Sequence, residues 1–194
     1  AKINTSYPSH PYFLITGNLS RIIFIFLLGY NFKGNKNKID RIIYMLFLCL
    51  LMNFTTILIY PNNFVRFGIL HFMTISLILL SYLTKIYNVF PFISGIIVFM
   101  IYIFVLNKKS SKNVILTSIG YKPNYSTMDY FPIFKWFWLV GLGYLISKNM
   151  KKPKNKTFKN KILKGISFLG KKSLIIYVVH FPIIFGLHKI LKFY

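Results

Sequence analysis

The apolar residues of this chain fall into long unbroken runs, and its cations gather in the short stretches between them. That segregation constrains the fold more than any single motif. A soluble domain interleaves both signs of charge over its surface. Here 25 Lys and Arg stand against 2 carboxylates, Asp40 and Asp129, in 194 residues. A water-soluble surface laced by ion pairs cannot be built from two acids, and a two-carboxylate site is excluded unless those two meet. With 55% hydrophobic residues and a mean hydropathy of +0.56, the chain reads as an all-α, polytopic bundle of transmembrane helices, one membrane domain over residues 1–194.

A helix crossing a hydrocarbon core of roughly 30 Å needs about 20 mostly apolar residues. Six segments qualify, at 12–32, 42–59, 67–83, 89–106, 133–146 and 174–191. The fifth is short and takes Tyr130 to Pro132 as its lead-in. The runs are continuous rather than alternating, which argues against barrel strands. Gly29, Gly95, Gly141 and Gly143 suit membrane helices, and the last two offer close helix contact.

A net charge of +23 raises nucleic acid as a partner, but the cations lie at the ends of apolar runs, as a lipid bilayer selects. Nucleic acid is therefore not an expected partner. Fifteen basic residues fall in the loops 33–41, 84–88 and 147–172, against nine on the opposite side. The asymmetry predicts that the first set, including the basic loop from Lys148 to Lys172, is cytoplasmic, with both termini outside. Cys49 lies alone inside an apolar run, so no disulfide framework or paired-Cys metal site is expected. An outside amino terminus with an even number of spans predicts a further helix upstream of Ala1, and hence a fragment.

Ionisable groups inside apolar segments carry the most information, because each is costly unless paired or hydrated. Arg21 lies about ten residues into the first span and should face the bundle interior or a wet cavity, unless that helix starts later and leaves it at the interface. Arg66 and His71 open the third span, five residues and thus about 140° apart. They line a site or act as anchor and helix-bridging hydrogen bonder. Asp129 is expected beside Arg66 or Arg21, either as a packing ion pair or as a carboxylate orienting a histidine. His180 sits at mid-span with Tyr177 three residues before it on the same face. Pro182 frees the carbonyl of Val178 beside it. His180 is expected to face an internal cavity reached by His71 and Arg66. Four histidines without Cys or clustered acids predict no metal.

Three segments together resemble the catalytic-domain family of heparan-α-glucosaminide N-acetyltransferase, integral membrane acyltransferases with many bacterial members. They are Arg66-Phe67-Gly68-Ile69-Leu70-His71, then Ser126-Thr127-Met128-Asp129-Tyr130-Phe131-Pro132, then Phe168-Leu169-Gly170-Lys171-Lys172-Ser173-Leu174-Ile175-Ile176-Tyr177 followed by His180 and Pro182. The resemblance covers the chain from about Asn18 onward. It implies transfer of an acyl group from acyl-CoA or acetyl-CoA to a glycan or sugar amine or hydroxyl, in a bacterial cytoplasmic membrane. With the residue chemistry above, His180, His71 and Asp129 are the expected catalytic residues, and Arg66, Tyr177, Arg21 and Tyr130 the expected substrate-binding ones. The upstream helix carries a histidine in many bacterial relatives. In the lysosomal enzyme, the acetyl-accepting histidine lies in the segment leading into the next helix. His10 lies near that position but within unlike residues, and Phe181 stands where relatives often have Gln.

A neutral histidine is a competent base for acyl transfer near pH 7, or a carrier of the acyl group. The lysine-rich loops suit the phosphates of CoA, and would look the same if they only set topology. A homodimer is a further partner the sequence leaves open. The alternative reading is a non-catalytic membrane subunit or transporter-like protein on the same helical scaffold.

Overall fold

The computed structural model describes residues 11–32, 38–150 and 161–191. Among these, helix occupies each of the six apolar segments: α1 (Pro11–Tyr30), α2 (Lys38–Ile59), α3 (Ile69–Ile86), α4 (Phe90–Phe104), α6 (Ile133–Asn149) and α7 (Lys161–Leu191). The fold is all-α. The only strands among the described residues are β1 (Ser110–Ser111) and β2 (Lys122–Pro123), a two-residue parallel ladder closed around the short helix α5 (Val114–Ile119).

Local chemistry explains the ends. Asp40 sits in the first turn of α2, where a negative charge meets the helix dipole, and Lys85 and Lys148 sit in the last turns of α3 and α6. Pro91 occupies the first turn of α4, where a missing N–H costs nothing. Asn113 caps α5 by accepting from Ile115 N–H at 2.8 Å. The 31-residue α7 carries Pro182 inside it and begins at Lys161, so residues 161–172 of the expected basic loop are helical. A row of lysines is compatible with helix as well as loop, which is why composition alone placed the boundary late.

The bundle is organised by α6, which packs against α4 on one side and α1 on the other. Gly143 and Gly29 allow backbone contact with α1. A Cβ on either would run into the facing carbonyl, of Phe26 or of Val140. Gly141 works likewise toward α4, where a Cβ would stand 2.6 Å from the Pro91 carbonyl. Small residues at such crossings let membrane helices gain van der Waals contact that lipid cannot replace. Phe72, Leu70, Leu77 and Leu80 of α3, Met45 of α2 and Ile25 of α1 fill the interior.

The outer surface is apolar. Phe47, Leu50 and Phe54 of α2 and Ile97 and Phe104 of α4 are exposed. Among the described residues, three helical stretches, Lys38–Ile59, Ile69–Ile86 and Phe90–Lys108, are long and apolar enough to cross a membrane. Only 17% of the last one's apolar window is buried within protein, against 44% for α3. Apolar surface so uncovered belongs in lipid. This is an integral membrane protein.

Candidate active site

Two chain segments far apart in sequence are zipped together at the start of α3. Met128 N–H donates to the Asn63 carbonyl (3.1 Å) and Phe131 N–H to the Phe67 carbonyl (3.2 Å). The Thr127 hydroxyl donates to the Phe64 carbonyl at 3.2 Å, and Phe67 and Tyr130 form an isolated parallel bridge. The arrangement delivers Asp129 to the amino end of α3.

That end has an unfilled cap. Gly68 is the N-cap residue and has no side chain to accept the orphan N–H groups. Asp129, 60 residues away, supplies one: its Oδ2 accepts from Ile69 N–H at 2.9 Å. Oδ1 accepts from Tyr130 N–H at 3.1 Å, and the Tyr177 hydroxyl of α7 donates to Oδ2 at 3.4 Å. Close approach requires Gly68, since a Cβ there would stand 2.6 Å from Oδ2 and 2.7 Å from Val65 Cγ1. Burial pushes the Asp129 carboxyl above the usual carboxylate range. The Ile69 N–H, the Arg21 charge, the Tyr130 N–H and the Tyr177 hydroxyl act against that shift.

A cleft of about 410 Å³ opens on this carboxylate between α1, α3 and α7, lined by Ser20, Arg21, Phe24, Asp129, Ser173 and Tyr177 among others. Arg21 hydrogen-bonds Asn18 Oδ1 at 3.3 Å and lies 5.7 Å from the Phe131 ring centroid. It therefore brings positive charge to the cleft while itself staying exposed, not enclosed in the bundle interior. The other candidates stand nearby without lining it. Tyr130 turns its hydroxyl to the Tyr121 carbonyl at 2.7 Å, and burial with neighbouring Tyr102 and Tyr125 holds that phenol protonated. Arg66 is stacked between Tyr125 (4.4 Å) and Phe64 (5.0 Å), with its Nε buried and lacking a hydrogen-bond partner among the described residues. His71 turns back on its own helix, where Nδ1 accepts from Gly68 N–H at 3.4 Å.

His180 departs from the cavity-facing position expected of it. It is exposed, its Nδ1 bonded to the Tyr177 carbonyl and its ring 5.4 Å from the Tyr177 ring. Three residues on a helix leave about 60° between side chains, enough to keep Tyr177 in the cleft and put His180 on the outer flank. Ser173, four residues before Tyr177 and about 40° away, does line the cleft. The i, i+4 rule would have found it. His10 lies outside the described residues. Among those residues no group of three or more His, Cys, Asp or Glu is placed to hold a metal ion.

The three segments that carry the sequence resemblance thus meet at one carboxylate. The profile of the family described as heparan-alpha-glucosaminide N-acetyltransferase, catalytic, matches residues 2–182. The chain belongs to that family. No curated protein and no solved structure matches it. Family membership, together with the uncovered apolar helices, gives a membrane acyltransferase-like role, and the Asp129 cleft lies within the matched range.

Proposed function

We propose that the protein is an integral membrane acyltransferase that moves an acyl group, acetyl in the simplest case, from acyl-CoA to a sugar amine or hydroxyl. The observation that carries the reading is the meeting of all three family segments at Asp129, through the Ile69 N–H of the first and the Tyr177 hydroxyl of the third. In such a transfer the acceptor nitrogen or oxygen bonds to the thioester carbonyl carbon and the carbon–sulfur bond breaks. CoA leaves as a thiolate, and a base takes the acceptor's proton.

His180 suits the base. A carbonyl only accepts, so the bond to Tyr177 keeps the proton on Nδ1 and leaves Nε2 as the nitrogen with the lone pair, on the exposed side of α7 one turn from the Tyr177 that lines the cleft. His71 has the opposite tautomer: with Nδ1 accepting from Gly68, its Nε2–H is a donor suited to a developing oxyanion. Asp129 holds Tyr177 and the head of α3 in register. Arg21 supplies positive charge to the substrates from the cleft, while Arg66 and Tyr130 stand outside it and tie the flanking segments through Tyr125 and Tyr121. The chain makes six crossings of a bacterial cytoplasmic membrane. The segment from Lys148 to Lys172 is cytoplasmic, where its cations meet the phosphates of CoA.

The test is acyl transfer from labelled acetyl-CoA to glucosamine in proteoliposomes. His180→Ala is expected to lower the rate by about 10²-fold with insertion unchanged, as for loss of a general base, while Ile176→Ala on the exposed flank changes little. Full activity in an inserted His180→Ala protein would remove the base assignment. Absence of transfer by the folded wild-type protein to any sugar amine or hydroxyl would overturn the reading itself.

A further inference from the structure

A second cleft, larger than the first at about 730 Å³, opens between the first turn of α2 and the last turns of α3, with Tyr144 of α6 beside it. It lies at the opposite end of α3 from Asp129, about 24 Å away at the helical rise over sixteen residues. Lys38 and Lys85 bring two ammonium groups to its rim from two different helices, and Asp40 brings one carboxylate. The Lys38 Nζ stands 4.5 Å from the Phe32 ring centroid and the Lys85 Nζ 5.4 Å from that of Tyr82. A ring face offsets charge but leaves ammonium N–H donors to be met by an anion or water.

The hydroxyls of the cleft narrow the ligand. Ser81 donates to the Ile78 carbonyl (2.7 Å), Thr84 to the Ser81 carbonyl (3.5 Å) and Tyr144 to Asn88 Oδ1 (3.2 Å). Their hydrogens are committed to acceptors of the protein itself, so the donors on offer are cationic ones. That favours an anion over a neutral sugar. Ile39 of the cleft is exposed, as are Tyr82, Ile86 and Tyr87 at the carboxyl end of α3, where two helices apolar enough to cross a membrane end. Tyrosines and lysines at helix ends mark the headgroup level of a bilayer. A soluble anion would leave this apolar rim in water, whereas a lipid covers it with its own chains.

We propose that this cleft binds the phosphate-bearing headgroup of an anionic phospholipid, clasped between Lys38 and Lys85, with the acyl chains lying against the apolar rim. Basic pockets between membrane helices are sites of this kind. The site is separate from the Asp129 cleft and does not depend on the acyl-transfer reading.

The experiment uses the full chain, delipidated in detergent and titrated with phosphatidylglycerol by native mass spectrometry, with phosphatidylcholine as the uncharged reference. Lys38→Gln combined with Lys85→Gln is expected to weaken phosphatidylglycerol binding about 30-fold, leaving phosphatidylcholine unchanged. Lys112→Gln with Lys122→Gln removes the same charge at the other end of the molecule and is expected to change binding by less than about twofold, in line with a local site. Both target lysines are exposed, and an unchanged melting temperature without lipid checks that the variant folds. Equal binding by the target variant and wild type would overturn the proposal, as would equal losses in both double variants. Displacement of phosphatidylglycerol by adenosine 3′,5′-bisphosphate at matched phosphate concentration would also overturn it, by identifying a soluble phosphate as the ligand.

Discussion

The two ends of α3 differ in how their charge is handled. At the amino end a single carboxylate from a distant loop is met by two backbone N–H groups and a phenol, with an arginine across the cleft. At the carboxyl end, Lys38 and Lys85 line a roomy cleft, and the nearby hydroxyls are bonded to acceptors of the protein itself. One end is a closed polar arrangement built by the chain for itself, and the other leaves charge to be answered from outside. In a protein with 25 cations and 2 acids, a cation is cheap information and an acid is rare. The placement of Asp129 therefore says far more about chemistry than any lysine.

Substitutions at the two ends should separate sharply. Asp129→Ala is expected to have the largest effect on stability, about 2–3 kcal/mol in a detergent unfolding titration. It removes a helix cap and strands the Ile69 N–H and Tyr177 hydroxyl. Gly68→Ala should follow at about 1–3 kcal/mol, because its methyl group would press on the Asp129 carboxylate and Val65. Tyr177→Phe, which removes one hydrogen bond and keeps the ring, should cost about 1 kcal/mol in the same measurement. Lys85→Ala at the open end should stay within about 0.5 kcal/mol without added lipid, as for an exposed residue with no packed role. A loss at Lys85 equal to that at Asp129 would break the comparison.

The pH dependence sharpens it further. Burial raises the folded-state pKa of Asp129 above its ordinary value of 3.8, so the folded protein binds that proton more tightly than the unfolded chain. The associated stability is fully present below that ordinary value and is lost as pH rises through the folded pKa. Asp129→Asn should flatten this part of the profile, and an unchanged slope would assign it to other groups.

Much of this architecture was legible because hydrocarbon imposes simple rules. Each apolar run became a helix, and the small residues of α6 became contact points with α1 and α4. The start of α7 was not legible, since lysines that mark a loop also sit well in a solvated helix turn. The β1–α5–β2 cap carries two-residue strands too short for any periodicity. At the site, Asp129, Arg21 and Tyr177 stood out as polar groups in apolar surroundings, and they do line one cleft. The shortest hydrogen bond to Asp129 comes from the Ile69 backbone N–H, which no side-chain pattern reveals. The expected orientation of His180 missed for a geometric reason: residues at i, i+3 still stand about 60° apart, so Tyr177 lines the cleft and His180 does not.

The most direct test of the central claim, that an acyl-transfer site is assembled around Asp129, is the rate of labelled acetyl transfer from acetyl-CoA to glucosamine by full-length Asp129→Asn protein in proteoliposomes. Asn is nearly isosteric but lacks the charge that Ile69 N–H, Tyr177 and Arg21 converge upon. The account requires a fall of about 10²-fold or more against wild type at equal insertion, the scale of a lost catalytic electrostatic contact. A correctly inserted Asp129→Asn protein transferring acetyl at the wild-type rate would contradict it.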